Sequence, residues 1–506
     1  MTLLDYLTLN PAAIAGTIFA LVTLIPSVWA YLASFRALSS IPTVGLSERR
    51  SWTDFWRARQ RFVTDSLGLS IEGHKKYPRN SVYKLWTPDG FKIMVSPDLS
   101  GEITGAPDSV LSTHEAFQDS FFGKYTGVDA NADLRIKCVR VDLTKSLGRK
   151  IPEMIDEADY AIPLQIGECK EWTGFKLQPI LLQIVALISG RLFIGPEKNR
   201  DPKWLNTAIQ YTTDAFIAAE YLRILPAFLR PLGARIIPEV RRCSQHLAVA
   251  KEIIGPLIEA RTSGQKKPGD DMVQWMVDSA ITPEEREIAF ISQQFLVISF
   301  ASIHSTTVAL TKALYDLASR QEYIQPLREE VEATLAEEGG VFTRQSVQKM
   351  ELMDSFLKES QRLSPPQTVA MLRKVMSPSG FTFSSGVHLP QGSTILGIPY
   401  AAESLDPAIY ENPTEFDAYR FVKMKKESDD PNRWGFASTN LGHWGNGKHA
   451  CPGRFFAALE VKLLLAEILL KYDVRMAGGK PRPKDGLFAV NIMADMEAVV
   501  EFRKKR

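Results

Sequence analysis

The segment Trp444-Gly445-Asn446-Gly447-Lys448-His449-Ala450-Cys451-Pro452-Gly453-Arg454 sets one cysteine between a glycine-bearing loop and a strongly apolar stretch, Arg454 to Tyr472, with helical periodicity. Gly445 and Gly447 can take backbone conformations closed to other residues, which lets main-chain N–H groups approach the sulfur. The N-terminus of the following helix adds partial positive charge and favours the thiolate, the form that ligates iron. A lone cysteine beside a helix is more commonly a small buried hydrophobe. The rest of the chain decides between the two.

The other cysteines, Cys138, Cys169 and Cys243, lie far from Cys451 and from one another, without C-x-x-C pairs, so neither a disulfide framework nor a zinc module is indicated. The 506 residues are 45% apolar, enough for a large buried core. Net charge is +2 with no long single-sign run, so no nucleic-acid footprint is expected and the partners are apolar. No repeat of solenoid or propeller length occurs.

Upstream, Tyr6 to Phe35 carries no charge, and Pro11 to Ala33 is a mainly apolar stretch that spans about 34 Å as a helix, enough to cross a bilayer core. Asp5 is the only charged side chain before it, unlike the basic leader of a secretory signal. Arg36, Arg49, Arg50, Arg57, Arg59 and Arg61 follow it, which places the body on the cytosolic side. Pro26 is tolerated within such a span. Residues 1–36 are therefore predicted to be a membrane anchor and residues 37–506 the body of the protein.

Within that domain, a linker is expected around Ile41 to Gly45. Ser81–Trp86 and Phe91–Val95 alternate around Thr87-Pro88-Asp89-Gly90 as a β-hairpin. Phe381–Phe383, Val387–Leu389 and Thr394–Ile398 read as further short strands. Most other segments have helical period. Thr282, with Pro283 and Glu285 after it, predicts the start of a long helix running to about Ser319 through the core. Glu351–Leu363 is a second helix, stopped by Ser364-Pro365-Pro366. Gly264–Asp271 reads as a surface loop.

Glu359-Ser360-Gln361-Arg362 puts acid and guanidinium on one helical face; Glu239 and Arg242 share the spacing, and alone either pair reads as a surface ion pair. Arg362 stands 89 residues before Cys451, with Asn412-Pro413 and Tyr419-Arg420-Phe421 between. In that order, the series resembles the cytochrome P-450 family, whose haem signature is aromatic-x-x-Gly-x-basic-x-Cys-x-Gly. Trp444, Gly447, His449, Cys451 and Gly453 match in register, with Trp for the usual Phe and His for the usual Arg. The segment is similar in particular to the filamentous-fungal membrane-bound branch, which includes ent-kaurene-oxidase-like enzymes.

The resemblance implies a mainly α fold with a small β lobe, the cytochrome P-450 fold, here preceded by one N-terminal transmembrane helix. It implies haem b with Cys451 as axial thiolate and iron ligand. Arg373 would bind a propionate as a charged fork; Arg140 is a further candidate for this role, and His449 can donate to a propionate with a charge that depends on pH. Glu359, Arg362 and Arg420 would form a buried triad that locks the loop carrying the cysteine. Ala301-Ser302-Ile303-His304-Ser305-Thr306-Thr307 resembles the family's oxygen-activation kink, with Ser302 for Gly, His304 for the acid and Ser305 for the first Thr. Ser305 or Thr306 would steady bound dioxygen, and His304 would relay protons or rest as a hydrogen-bonded core histidine. Phe117, Phe121 and Phe122 would cover the haem, and Phe300, Ala301, Val369 and Ala370 would line a pocket for a lipophilic small molecule.

A terpenoid or related secondary metabolite is the expected substrate class. No flavin or nicotinamide domain fits in the chain, so the resemblance implies NADPH used indirectly through an NADPH-cytochrome P-450 reductase at the endoplasmic reticulum membrane, with Lys448 and Arg454 near the docking face. The altered His304-Ser305 site leaves two alternatives: a haem-thiolate isomerase, dehydratase or desaturase, and a non-catalytic membrane-anchored haem- or lipid-binding protein.

Overall fold

The computed structural model describes residues 36–505 except 48–50, 130–132 and 265–268. The anchor predicted at Pro11–Ala33 and the arginines at 49 and 50 lie outside the described residues, as does the middle of the Gly264–Asp271 loop.

Helices form most of the molecule. The principal ones are α1 (Trp52–Lys76), α2 (Thr113–Phe121), α3 (Thr144–Ile166), α4 (Leu177–Phe193), α5 (Pro202–Ile224), α6 (Pro238–Thr262), α7 (Ile288–Ser319), α8 (Ile324–Glu337), α9 (Glu351–Leu363) and α10 (Arg454–Lys471). Their ends follow local chemistry. Asp201 accepts from the Lys203 N–H ahead of Pro202 to start α5. Both carboxylate oxygens of Glu330, on α8, accept from Leu352 and Met353 N–H at 2.6 and 2.9 Å, capping α9.

Among the described residues, α7 is the one helix long and apolar enough to cross a membrane. It is instead the axis of the core, packed by α4, α5, α6, α9 and α10. Phe295, Leu296, Leu310, Leu314 and Leu317 on it are fully buried, each worth about 1.5–3 kcal/mol against exposure.

The predicted start of α7 is corrected. Thr282 and Glu285 do form a reciprocal cap, with Glu285 N–H to Thr282 Oγ1 at 3.2 Å and Glu285 Oε2 accepting from Ile281 and Thr282. The turn they cap then closes on itself through Glu287 N–H to Glu284 O, and Glu287 goes extended before the helix begins at Ile288.

The β lobe is a seven-stranded sheet in the order β1 (Thr43–Val44), β2 (Val82–Thr87), β3 (Gly90–Val95), β10 (Thr394–Pro399), β7 (Arg373–Val375), β4 (Leu111–Ser112), with β6 (Val369–Ala370) also on β10. β2 and β3 are the expected hairpin, and Gly90 takes φ +94 at its turn. The expected linker at Ile41–Gly45 contains β1, parallel to β2. Phe381–Thr382 (β8) pairs His388–Leu389 (β9), and Gly486–Phe488 (β12) pairs Asn491–Met493 (β13). A separate antiparallel sheet runs β11 (Tyr472–Met476), β14 (Val499–Lys504), β5 (Thr173–Lys176).

Candidate functional site

The cysteine loop is built on turns that need its glycines. Gly445 has φ +71, and a Cβ there would also lie 2.8 Å from His449 O; Gly447 has φ +57. Asn446 Oδ1 accepts from Gly447 N–H, and Cys451 N–H closes the loop on Trp444 O at 2.6 Å. Gly453 then caps the start of α10. Burial pushes the Cys451 thiol up. The Gly453 N–H, the Arg454 charge and N–H, and the Arg140 charge all pull it down without cancelling burial. Arg140 sits on a π-helical turn, Cys138–Leu143, and donates to Lys448 O at 3.1 Å.

Arg373, on β7, is 2% exposed, and burial lowers its guanidinium to about 10 against the pull of Asp108. Its Nη1 donates to Leu372 O, while Nε and Nη2 have no partner. Burial and the neighbouring Arg373 charge lower the His449 imidazole. His449 Nε2 lies 2.9 Å from Asp108 Oδ1, and Lys448 Nζ lies 3.2 Å from the same oxygen. Asp108 is a member of this cluster that sequence reading missed; an exposed loop acid in a nearly neutral chain gives no pattern to find it by.

One polar face of α9 holds two loops. Glu359 takes Arg362 at 2.7 Å and Arg420 at 3.0 Å in a wholly buried triad. Its outward bonds run to Ser404 O, Glu411 O, Pro413 O and Glu415 O, so it grips the 404–420 segment. The segment that leads into the cysteine loop is held by Lys358, next to Glu359, and by Asp354, about one turn before it. There Asp354 Oδ2 accepts from Phe436 N–H, and Lys358 donates to Gly435 O, Ser438 and Asn440.

At mid-α7, Ala301 and Ser305 are exposed although the helix around them is largely buried, so this face borders open space. Ser305 Oγ bonds back to Ala301 O at 2.6 Å. Ser302 Oγ and Thr306 Oγ1 are buried without partners. Nε2 of His304 donates to Ile209 O, on α5, at 3.0 Å, and burial lowers the imidazole. Phe300 carries an aromatic cluster across three helices: Phe121 at 5.1 Å, Phe117 at 6.4 Å and Phe216, unforeseen in the sequence, stacked at 5.7 Å.

Phe122, expected beside Phe117 and Phe121, packs apart from them. With φ +50 it ends α2 and turns into a different cluster with Leu222 and Val240, beneath Arg223 and Arg230. Val369 and Ala370 form β6, and a Cβ on Gly442 of the cysteine loop would lie 3.4 Å from Ala370 Cβ.

Buried orphan donors are costly. Two donor nitrogens of the Arg373 guanidinium, beside His449, therefore call for a group with carboxylates, and a thiol at a helix N-terminus suits a metal. These residues fit haem. The cytochrome P-450 family model matches residues 158–496. The chain belongs to this family. Curated relatives include the cytochrome P-450 monooxygenase olcJ of Penicillium canescens, 35% identical over 89% of this chain and 85% of the relative. The monooxygenase janP of Penicillium janthinellum is 34% identical over 92% and 90%. An ent-kaurene oxidase of Gibberella intermedia is 32% identical over 94% and 90%. This P-450 is thus a monooxygenase of a haem-thiolate family.

Proposed function

We propose that this P-450 inserts oxygen into C–H bonds of a terpenoid or related lipophilic metabolite, at the cytosolic face of the endoplasmic reticulum membrane. Residues 1–36 are its single-pass anchor and residues 37–506 its catalytic domain. The observation that carries the reading is the buried Arg373 with two unpaired donors beside the Cys451 loop. Likeness to an ent-kaurene oxidase supports the terpenoid class.

Cys451 would hold haem b, with Arg373 and His449 on its carboxylates; Arg140 and Lys448 brace the loop. Haem held by a thiolate supplies dioxygen activation. The chain does the rest. Phe117, Phe121, Phe216 and Phe300 give an apolar wall that excludes water and orients the substrate, alongside Ala301, Val369 and Ala370. Ser302, Ser305 and Thr306 offer hydroxyls that hold water and pass protons. His304, engaged with Ile209 O, braces α7 against α5. NADPH electrons arrive through a membrane-bound reductase.

Reconstitution with reductase, NADPH and a diterpenoid panel under isotopically labelled dioxygen tests this. One labelled oxygen atom in a reductase-dependent product is expected. Equal product without dioxygen or reductase contradicts it and indicates an isomerase or dehydratase.

A further inference from the structure

Lys358 is 1% exposed, one residue before the triad acid. Its ammonium lies over the Phe421 ring at 5.2 Å and donates to Gly435 O at 3.0 Å, Asn440 Oδ1 at 2.7 Å and Ser438 Oγ. Ser438 Oγ in turn donates to Asn440 Oδ1 at 2.8 Å, so three points of one short loop converge on one nitrogen. That loop is joined directly to the cysteine segment: Trp444 Nε1 donates to Phe436 O at 2.8 Å, and the two rings meet edge to face at 5.8 Å. Trp444 O in turn accepts the Cys451 N–H.

The same helix holds the far side. Asp354, one turn before Lys358, accepts from Phe436 N–H and pairs at 2.7 Å with Lys462 of α10, the helix that starts after Cys451. The segments before and after the cysteine are thus both referred to α9. A buried lysine with no carboxylate in hydrogen-bond contact is costly, since its charge is shared among neutral acceptors alone; burial lowers it to about 7 against the pull of Asp354. A cost retained at such a place is explained by positioning.

We infer that Lys358 is a positioning residue for the thiolate, its ammonium setting the 435–440 loop, and through Trp444 the backbone of Cys451, at the depth where the sulfur ligates iron. The inference rests on the haem-thiolate reading. It separates the duty of Lys358, holding the cysteine side, from that of Glu359, Arg362 and Arg420, which grip the 404–420 segment.

The test is the carbon monoxide difference spectrum of the reduced, haem-supplied full chain, read as the fraction in the red-shifted thiolate band and the rate at which it converts to the non-thiolate form on warming. Lys358→Met is expected to convert about tenfold faster, the size of effect that lost charged hydrogen bonds produce. Asn440→Ala and Ser438→Ala take smaller steps in the same direction. Lys84→Met removes another buried lysine, held by Leu38 O in the β lobe, and is expected to lower thermal stability without moving the band ratio. If Lys358→Met does not fold, the two loop variants decide. Unchanged conversion in the variants, or an equal shift in Lys84→Met, overturns the inference alone. A wild type without the thiolate band overturns the haem-thiolate reading and this inference with it.

Discussion

Arg373 has two buried guanidinium donors with nothing to bond. In the haem-free chain its removal leaves no protein acceptor unpaired except Leu372 O, so Arg373→Ala is expected to fold with stability near wild type. The haem-loaded chain should differ. Loss of charge-assisted bonds to a carboxylate is worth about 1.5–3 kcal/mol, and haem transfer from Arg373→Ala to an acceptor protein should be at least about tenfold faster. Unchanged haem retention would show that the fork has another purpose. Glu359 makes the opposite prediction. Glu359→Gln leaves Arg362 and Arg420 buried without their counter-charge, and breaking a buried pair costs about 3–5 kcal/mol. A denaturation midpoint within error of wild type would contradict the triad's structural role. The pairing of Glu359 with Arg362 and Arg420 was expected through the family resemblance, which also named Cys451 and Arg373 for the haem. Lys358, Asp354 and Asp108 were not read, since their partners are backbone atoms or side chains far along the chain.

At the level of elements, α9 and α10 came out of the sequence nearly to the residue, because Ser364-Pro365-Pro366 and the Gly453 cap punctuate them. The start of α7 did not. A capping box records that a turn begins, not that the turn continues, and the extended Glu287 separates the two. β5, β11 and β14 were also unread: β5 is a short, largely exposed strand whose pairing partners lie over 300 residues away.

The contact between α4 and α10 holds a titrating group that the chemistry does not use. Glu460 is fully buried, takes one bond from Ser189 at 3.0 Å, and burial raises its carboxyl to about 8. Its folded value lies above its unfolded one, so it contributes stability that is whole below about pH 4.5 and is lost as pH rises towards 8. Relative to wild type, Glu460→Gln should become more stable between pH 5 and pH 8, by on the order of 4 kcal/mol at the upper end. Urea midpoints across that range check it, and parallel pH curves for the two proteins would contradict it.

Over the whole molecule, one apolar core built around α7 and one β lobe carry the site between them, which composition alone could not distinguish from two separate domains. Charge adds little to the balance, at +2 over 506 residues, so the membrane attachment proposed above would rest mainly on apolar surface. The chain lacking residues 1–36 is expected to leave the membrane fraction under alkaline extraction that retains the full chain, with its haem spectrum unchanged. Release of the full chain under the same conditions would contradict a spanning anchor.

The most direct measurement is the carbon monoxide difference spectrum of the reduced full chain beside Cys451→Ala. The expected result is a red-shifted thiolate band in the wild type and its complete loss in Cys451→Ala, with both proteins folded. A folded, haem-supplied wild type without that band, or a Cys451→Ala protein that keeps it, would contradict Cys451 as the ligand.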